Sequence, residues 1–185
     1  GPWWDRLFTD PDFWQQWVDR WQELRLTHFA LTNLNRLADQ LAREVREAQP
    51  RQYQRWGFQP RGGSYDSELA LMKAWLSNRV DFIDHELVRM PPSSITNQPA
   101  SNARTTSVRH LRFHAPTNLT VYYTLDGSDP RLSQGDISSN ALVYAAPIPL
   151  PSTTALPITA RARNPAQRQR GGPPRSTPWS GPATF

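Results

Sequence analysis

The 185-residue sequence has no cysteine, a single lysine (Lys73) and no long apolar run. Without cysteine there are no disulfides, thiolate metal sites or thiol nucleophiles; the redox compartment stays open, since exported chains also do without cysteine. No stretch approaches the roughly 18 apolar residues of a membrane span, and the N-terminus lacks the basic-then-apolar order of a signal peptide. We read the chain as a soluble fragment of a longer protein, with no membrane span. A dense basic run is missing too. The formal net charge of +5 is uneven: residues 1–90 carry 12 Lys and Arg against 13 Asp and Glu, and residues 91–185 carry 9 against 3. The arginines of the second half are scattered, so a solvated Arg-rich surface accounts for them and nucleic acid is not an expected partner.

Helical periodicity governs the first ninety residues. Asp10 suits an N-cap and Pro11 a first helical position, after which Phe13, Trp14, Trp17, Trp21 and Leu24 recur at three- and four-residue steps, predicting a buried aromatic stripe. A second helix is expected from a Thr32 cap through Leu34, Leu37, Leu41 and Val45, with Asp39, Arg43, Glu44 and Glu47 opposite, until Pro50 interrupts it. A short continuation fits Tyr53 to Trp56. Gly57, Pro60, Gly62 and Gly63 mark a loop; Ser64 then caps a long helix with Leu69, Met72, Trp75, Leu76, Val80, Ile83 and Leu87 on one stripe, closed by Pro91 and Pro92. Most tryptophans fall in or beside these helices and are assigned to core packing. Residues 91–106, rich in Pro, Ser, Asn and Thr, read as a linker or a loose leading strand at a domain boundary.

Beyond the boundary the period becomes two. Val121, Tyr123 and Leu125 point one way, Tyr122 and Thr124 the other, and Asp126-Gly127 supplies turn chemistry for a hairpin. Ile158, Ala160 and Ala162 then alternate with Thr159, Arg161 and Arg163, giving a small apolar face and a cationic one. Pro147, Pro149 and Pro151 belong at edges and connections. The expected fold is α+β in two segments: about three helices over 1–90, then an all-β immunoglobulin-like sandwich over 107–185.

No acid, base or nucleophile set emerges. Asp126, Asp129 and Asp136 lack Ca²⁺-loop spacing and suit turns. His110 and His114 lie four apart without a third ligand, and His85 sits beside Glu86 outside any H-E-x-x-H pattern. Asp81, Asp84 and Glu86, with Arg79 and Arg89, read as solvated helix decoration. Trp179, between Pro178 and Ser180, either seals the sandwich or offers a flat face to a glycan; with Tyr122, Arg161 and Arg163 it forms the candidate ligand-binding face.

The run "VYYTLDGSDPR" (121–131), Tyr144, "PIPL" (147–150), Thr153 and Thr154, "ITARAR" (158–163) and the closing "WSGPATF" resemble the chitobiase/β-hexosaminidase C-terminal domain, an immunoglobulin- or fibronectin-III-like sandwich, over about 105–185. The insert-like "NPAQRQRGGPPRSTP" from Asn164 to Pro178 departs from that pattern. "LFTDPDFWQQWVDRWQELR" (7–25), "RWG" (55–57) and "ELALMKAWLSNRVDFIDHEL" (68–87) resemble the C-terminal helical part of the spore-coat protein H-like (CotH) kinase family.

The resemblance implies an exported, extracellular or cell-surface bacterial protein whose kinase-like core lies upstream of Gly1. No glycine-rich phosphate loop, nucleotide lysine and paired metal carboxylates assemble here at kinase-like spacing, so no catalytic residue, metal ligand or cofactor is assigned to this chain. The expected partners are the upstream kinase-like domain of the same protein and polysaccharide or other cell-surface components. Three roles follow from the resemblance: a non-catalytic accessory region whose sandwich is a spacer or carbohydrate-binding module, part of an atypical secreted kinase, or a structural coat or envelope module.

Overall fold

The computed structural model describes residues 1–57, 60–98, 108–150, 157–167 and 177–185. Pro151, Thr153, Thr154 and most of the insert-like stretch 164–178 lie outside the described residues, as does 99–106 of the expected linker. Among the described residues, five α-helices, α1 (Pro2–Leu7), α2 (Pro11–Arg25), α3 (Leu31–Val45), α4 (Gln49–Trp56) and α5 (Tyr65–Glu86), precede seven strands: β1 (Ser93–Gln98), β2 (Val108–Phe113), β3 (Thr120–Thr124), β4 (Leu142–Val143), β5 (Ile148–Leu150), β6 (Thr159–Arg163) and β7 (Ala183–Thr184). The chain forms two compact units, one of Gly1–Gln22 with Leu87–Phe185 and one of Glu23–Glu86.

Local chemistry explains several helix ends. Asp10 Oδ1 accepts the N–H of Asp12 at 2.8 Å and of Phe13 at 3.4 Å, so it caps α2 as expected. Ser64 Oγ accepts the Ser67 N–H at 3.1 Å and caps α5. Pro50 has no N–H to donate, so it suits the first turn of a new helix, α4, better than the interior of α3. Gly57, at φ 64°, closes α4 in the left-handed conformation, its N–H donating to Tyr53 O at 2.8 Å. The expected Thr32 cap is displaced: Ala30 is the N-cap of α3 and Thr32 lies inside it.

In the unit Glu23–Glu86, α3 packs on α5. Tyr65 Oη donates to Ala42 O at 2.8 Å, Lys73 pairs with Asp39, and Arg46 with Asp66, so the two helices run in opposite directions. The small residues Ala38 and Ala42 are buried on α3, and Val80 and Asp84 on α5. This corrects the expected stripe: Leu37, Leu41 and Val45 are exposed, and the buried residues of α3 are the alanines one position further on. Asp84 is not solvated decoration either; it is buried and accepts from Arg25 Nε at 3.0 Å.

The other unit is a two-sheet sandwich. One sheet has the order β1-β2-β5 and the other β4-β3-β6-β7, all antiparallel. Part of the stretch read as linker or leading strand is therefore a strand, with Ser93 opposite Phe113 and Ile95 opposite Leu111. The core holds Val88, Leu111, Phe113, Val121, Ile148, Ile158, Ala160 and Ala162, as the period-two alternation of β3 and β6 requires. Pro149 stands on β5, an edge strand, where its missing N–H leaves no ladder bond unmade.

The Asp126-Gly127 turn departs from the expected tight hairpin. Asp126 Oδ1 accepts Ser128 N at 2.9 Å, Gly127 has φ 79°, and Thr124 Oγ1 donates to Ser128 O at 2.6 Å. The chain then runs through residues 125–141 before β4 returns beside β3. That connection holds Gln134, at φ 62°, and Gly135, at φ 87°.

Candidate functional site

Tyr122, Arg161, Arg163 and Trp179 do come together. Tyr122 lies opposite Arg161 in the β3-β6 ladder, and Arg163 forms an antiparallel bridge with Trp179. The Tyr122 and Trp179 rings are 5.4 Å apart, and the Arg163 guanidinium sits 5.5 Å from the Trp179 ring centroid. All four belong to the sheet face turned away from the sandwich core, as alternation along β6 predicts.

That face is covered. Residues 11–22 of α2, from the same compact unit, lie over it. Trp179 is 0% exposed and donates Nε1–H to Gly135 O at 2.8 Å, and it lies outside the sandwich core cluster. Arg161 is 3% exposed. Its Nε and Nη2 donate to Asp129 at 2.7 Å each, its Nη1 and Nη2 donate to Asp19 at 2.7 and 2.8 Å, and Nη1 also donates to Ser180 O at 2.7 Å. Every N–H of the guanidinium thus has an acceptor, in two bidentate carboxylate pairs. Burial alone disfavours the Arg161 cation, but the bonds to Asp19 and Asp129 outweigh it and raise its pKa. Tyr122 and Arg163 are half-buried and keep an accessible side, next to exposed Val143 on β4.

The helix side of this contact was not singled out from the sequence. Asp12, Gln15, Asp19 and Gln22 fall three, four and three residues apart on α2, and each reaches the sandwich. Asp12 accepts from Arg131 Nη2 at 2.6 Å and from the Gln134 N–H at 3.0 and 3.1 Å. Burial pushes the Asp12 carboxyl up, yet the bonds from Gln134 and Arg131 outweigh it and hold its pKa below the ordinary value. Gln15 Nε2 donates to Ser180 O at 3.1 Å, and its Oε1 accepts from Thr177 Oγ1 at 2.6 Å. Gln22 Oε1 accepts the Gly181 N–H at 2.8 Å, and its Nε2 donates to Val88 O at 2.6 Å. The available signal was helical spacing of Asp and Gln, a pattern that also describes any solvated helix face.

The aromatic side chains of α2 flank this polar face: Phe13, Trp14 and Trp21 are half-buried, and Gln16, Arg20 and Glu23 are exposed. Phe8 packs on Phe13 and Trp14 at 5.3 and 5.0 Å, Trp14 on Trp17 at 5.6 Å, and Trp17 stacks on Trp21 at 5.9 Å with planes 4° apart. Trp17 remains 37% exposed, Trp4 60% and Trp3 82%, which corrects the assignment of these side chains to a core.

The remaining sequence candidates are held locally. Asp126 accepts from the Ser128 hydroxyl and N–H, bonds that lower its pKa. Asp129 also accepts the Arg131 N–H at 2.9 Å. His114 Nε2 meets Ser94 Oγ at 3.0 Å, and His85 Nδ1 meets Asp81 O at 2.8 Å. Among the described residues, no group of three or more His, Asp or Glu is placed to hold a metal ion, and no helix is long and apolar enough to cross a membrane.

Residues 1–83 match the family described as CotH kinase protein, and residues 111–170 match the family described as Fn3 associated. No curated protein and no solved structure matches the chain. The two family matches cover the helical half and most of the sandwich in turn, and the chain carries a CotH-like region followed by a fibronectin-associated domain.

Proposed function

We propose that this chain is a non-catalytic accessory region of a larger exported bacterial protein, in which the helices complete a CotH-like domain and the sandwich is its surface-directed module. The observation that carries this reading is the exposure of Trp3 and Trp4 on α1 and of Trp17 on α2. Large apolar side chains gathered on one face mark an interaction surface. The occupant we assign is the remainder of the CotH-like domain, upstream in the same protein. Acrylamide quenching of this chain against the longer parent tests it: the parent protects these tryptophans, and equal quenching in both overturns the assignment. Phosphotransfer by this chain alone overturns the non-catalytic part.

The likeness of "VYYTLDGSDPR" and "ITARAR" to chitobiase/β-hexosaminidase C-terminal domains favours a polysaccharide as the sandwich's ligand at an extracellular surface. Its accessible groups are Tyr122 and Arg163, with Trp179 as the buried support behind them. Retention on chitin, cellulose and peptidoglycan, compared with Tyr122→Ala, measures this directly. Retention lost with Tyr122 supports a stacking site; absence of retention leaves the sandwich a spacer.

A further inference from the structure

The contact between α2 and the outer sheet face is unusual in its chemistry. A helix docking on a sheet ordinarily does so through an apolar stripe. Here the helix has such a stripe and presents another face: Asp12, Gln15, Asp19 and Gln22, with only Val18 as a fully buried apolar side chain among them. The sheet side answers with matched groups. Arg131 and the Gln134 N–H meet Asp12, Arg161 meets Asp19, Thr177 and Ser180 O meet Gln15, and the Gly181 N–H and Val88 O meet Gln22. Gly181 is part of the fit, because a Cβ there would stand 3.0 Å from Gln22 Oε1 and 3.3 Å from Gln22 Cβ. Gln15, Arg161, Thr177 and Ser180 are all buried, so polar groups on both sides give up water for specific partners.

We propose that this face of the fibronectin-associated domain is a receptor for a helix, and that it recognises carboxylate and carboxamide side chains at three-, four- and three-residue spacing. The chain's own α2 is the occupant seen. The sandwich is thereby a reader of α2. Arg161 is the positioning residue: Asp129 fixes one edge of its guanidinium, which leaves the other edge presented to a carboxylate on the helix. An apolar stripe would tolerate sliding by a turn, whereas bidentate pairing and amide bonds specify one register.

Hydrogen exchange on the full chain and a competition experiment test this together. Gln22→Ala and Gly181→Ala loosen the contact without leaving a buried charge unpaired. In both, residues 11–22 exchange at least tenfold faster while β2 and β3 keep their protection. Unchanged protection of 11–22 overturns the proposal, as does free exchange of this segment in the unsubstituted chain. In the Asp12→Ala/Asp19→Ala full chain, a synthetic peptide of residues 9–26 binds, whereas the unsubstituted chain, with its receptor occupied, does not take it up. Equal uptake by both chains, or none by the variant with its sandwich protection intact, overturns it.

Discussion

Strand β6 of the sandwich and the α3–α5 helix pair differ in which side chains they bury. In the sandwich unit, β6 is buried on both faces, by Ile158, Ala160 and Ala162 against the opposing sheet and by Arg161 and its carboxylates beneath α2. In the unit Glu23–Glu86, the contact between α3 and α5 runs through Ala38 and Ala42, and Leu37, Leu41, Val45, Met72, Trp75 and Phe82 stay exposed. Hydrophobicity therefore does not rank these side chains by burial. A charged Arg161, 3% exposed, is more deeply buried than Trp75, 62% exposed, because satisfying every donor offsets its desolvation.

The largest expected break in that contrast is Trp179→Ala. Removing a fully buried indole that also bonds Gly135 lowers the unfolding free energy by about 3–5 kcal/mol, read by urea unfolding. Arg161→Met comes next, at about 3 kcal/mol, the lower end for a broken buried pair because water reaches the side chains of Asp19 and Asp129. Its companion, Asp19→Asn, keeps an oxygen for the bond that Gln15 Nε2 donates to Asp19 Oδ1 at 2.7 Å and costs less, so the ratio of the two separates charge from shape.

Acid sharpens the comparison further. The Asp12 carboxyl has its pKa below the ordinary 3.8, so it binds protons more weakly folded than unfolded. Its contribution is present above the unfolded value and is lost as pH falls through the folded one. Thermal unfolding followed below about pH 4 shows a decline that Asp12→Asn reduces. The smallest effect belongs to the helical unit: Trp75→Gln, at a residue 62% exposed, changes stability by no more than about 0.5 kcal/mol. A large loss at Trp75 would show that the described surface is a core.

Much of the local structure was legible. Asp10, Ser64 and Gly57 act where their side-chain oxygens or missing Cβ permit, and alternation along β3 and β6 named the core residues of both strands. Alternation also put Tyr122, Arg161 and Arg163 on one face. The accessibility of that face was not legible, because residue 161 is covered by a carboxylate more than a hundred residues earlier in the chain. Nor was the buried side of α2, where the aromatic stripe carried the stronger pattern and the polar one made the contact.

The sequence by itself determined the succession of helices then strands, the caps at Asp10 and Ser64, and the two faces of each inner strand, since these follow from backbone preferences and side-chain period over a few residues. Only the tertiary structure decided which face of each helix is buried and whether a cation meets water or two carboxylates. Those outcomes depend on partners brought from distant positions, and hydrogen-bond complementarity there overrides the ordering that transfer from water alone would give.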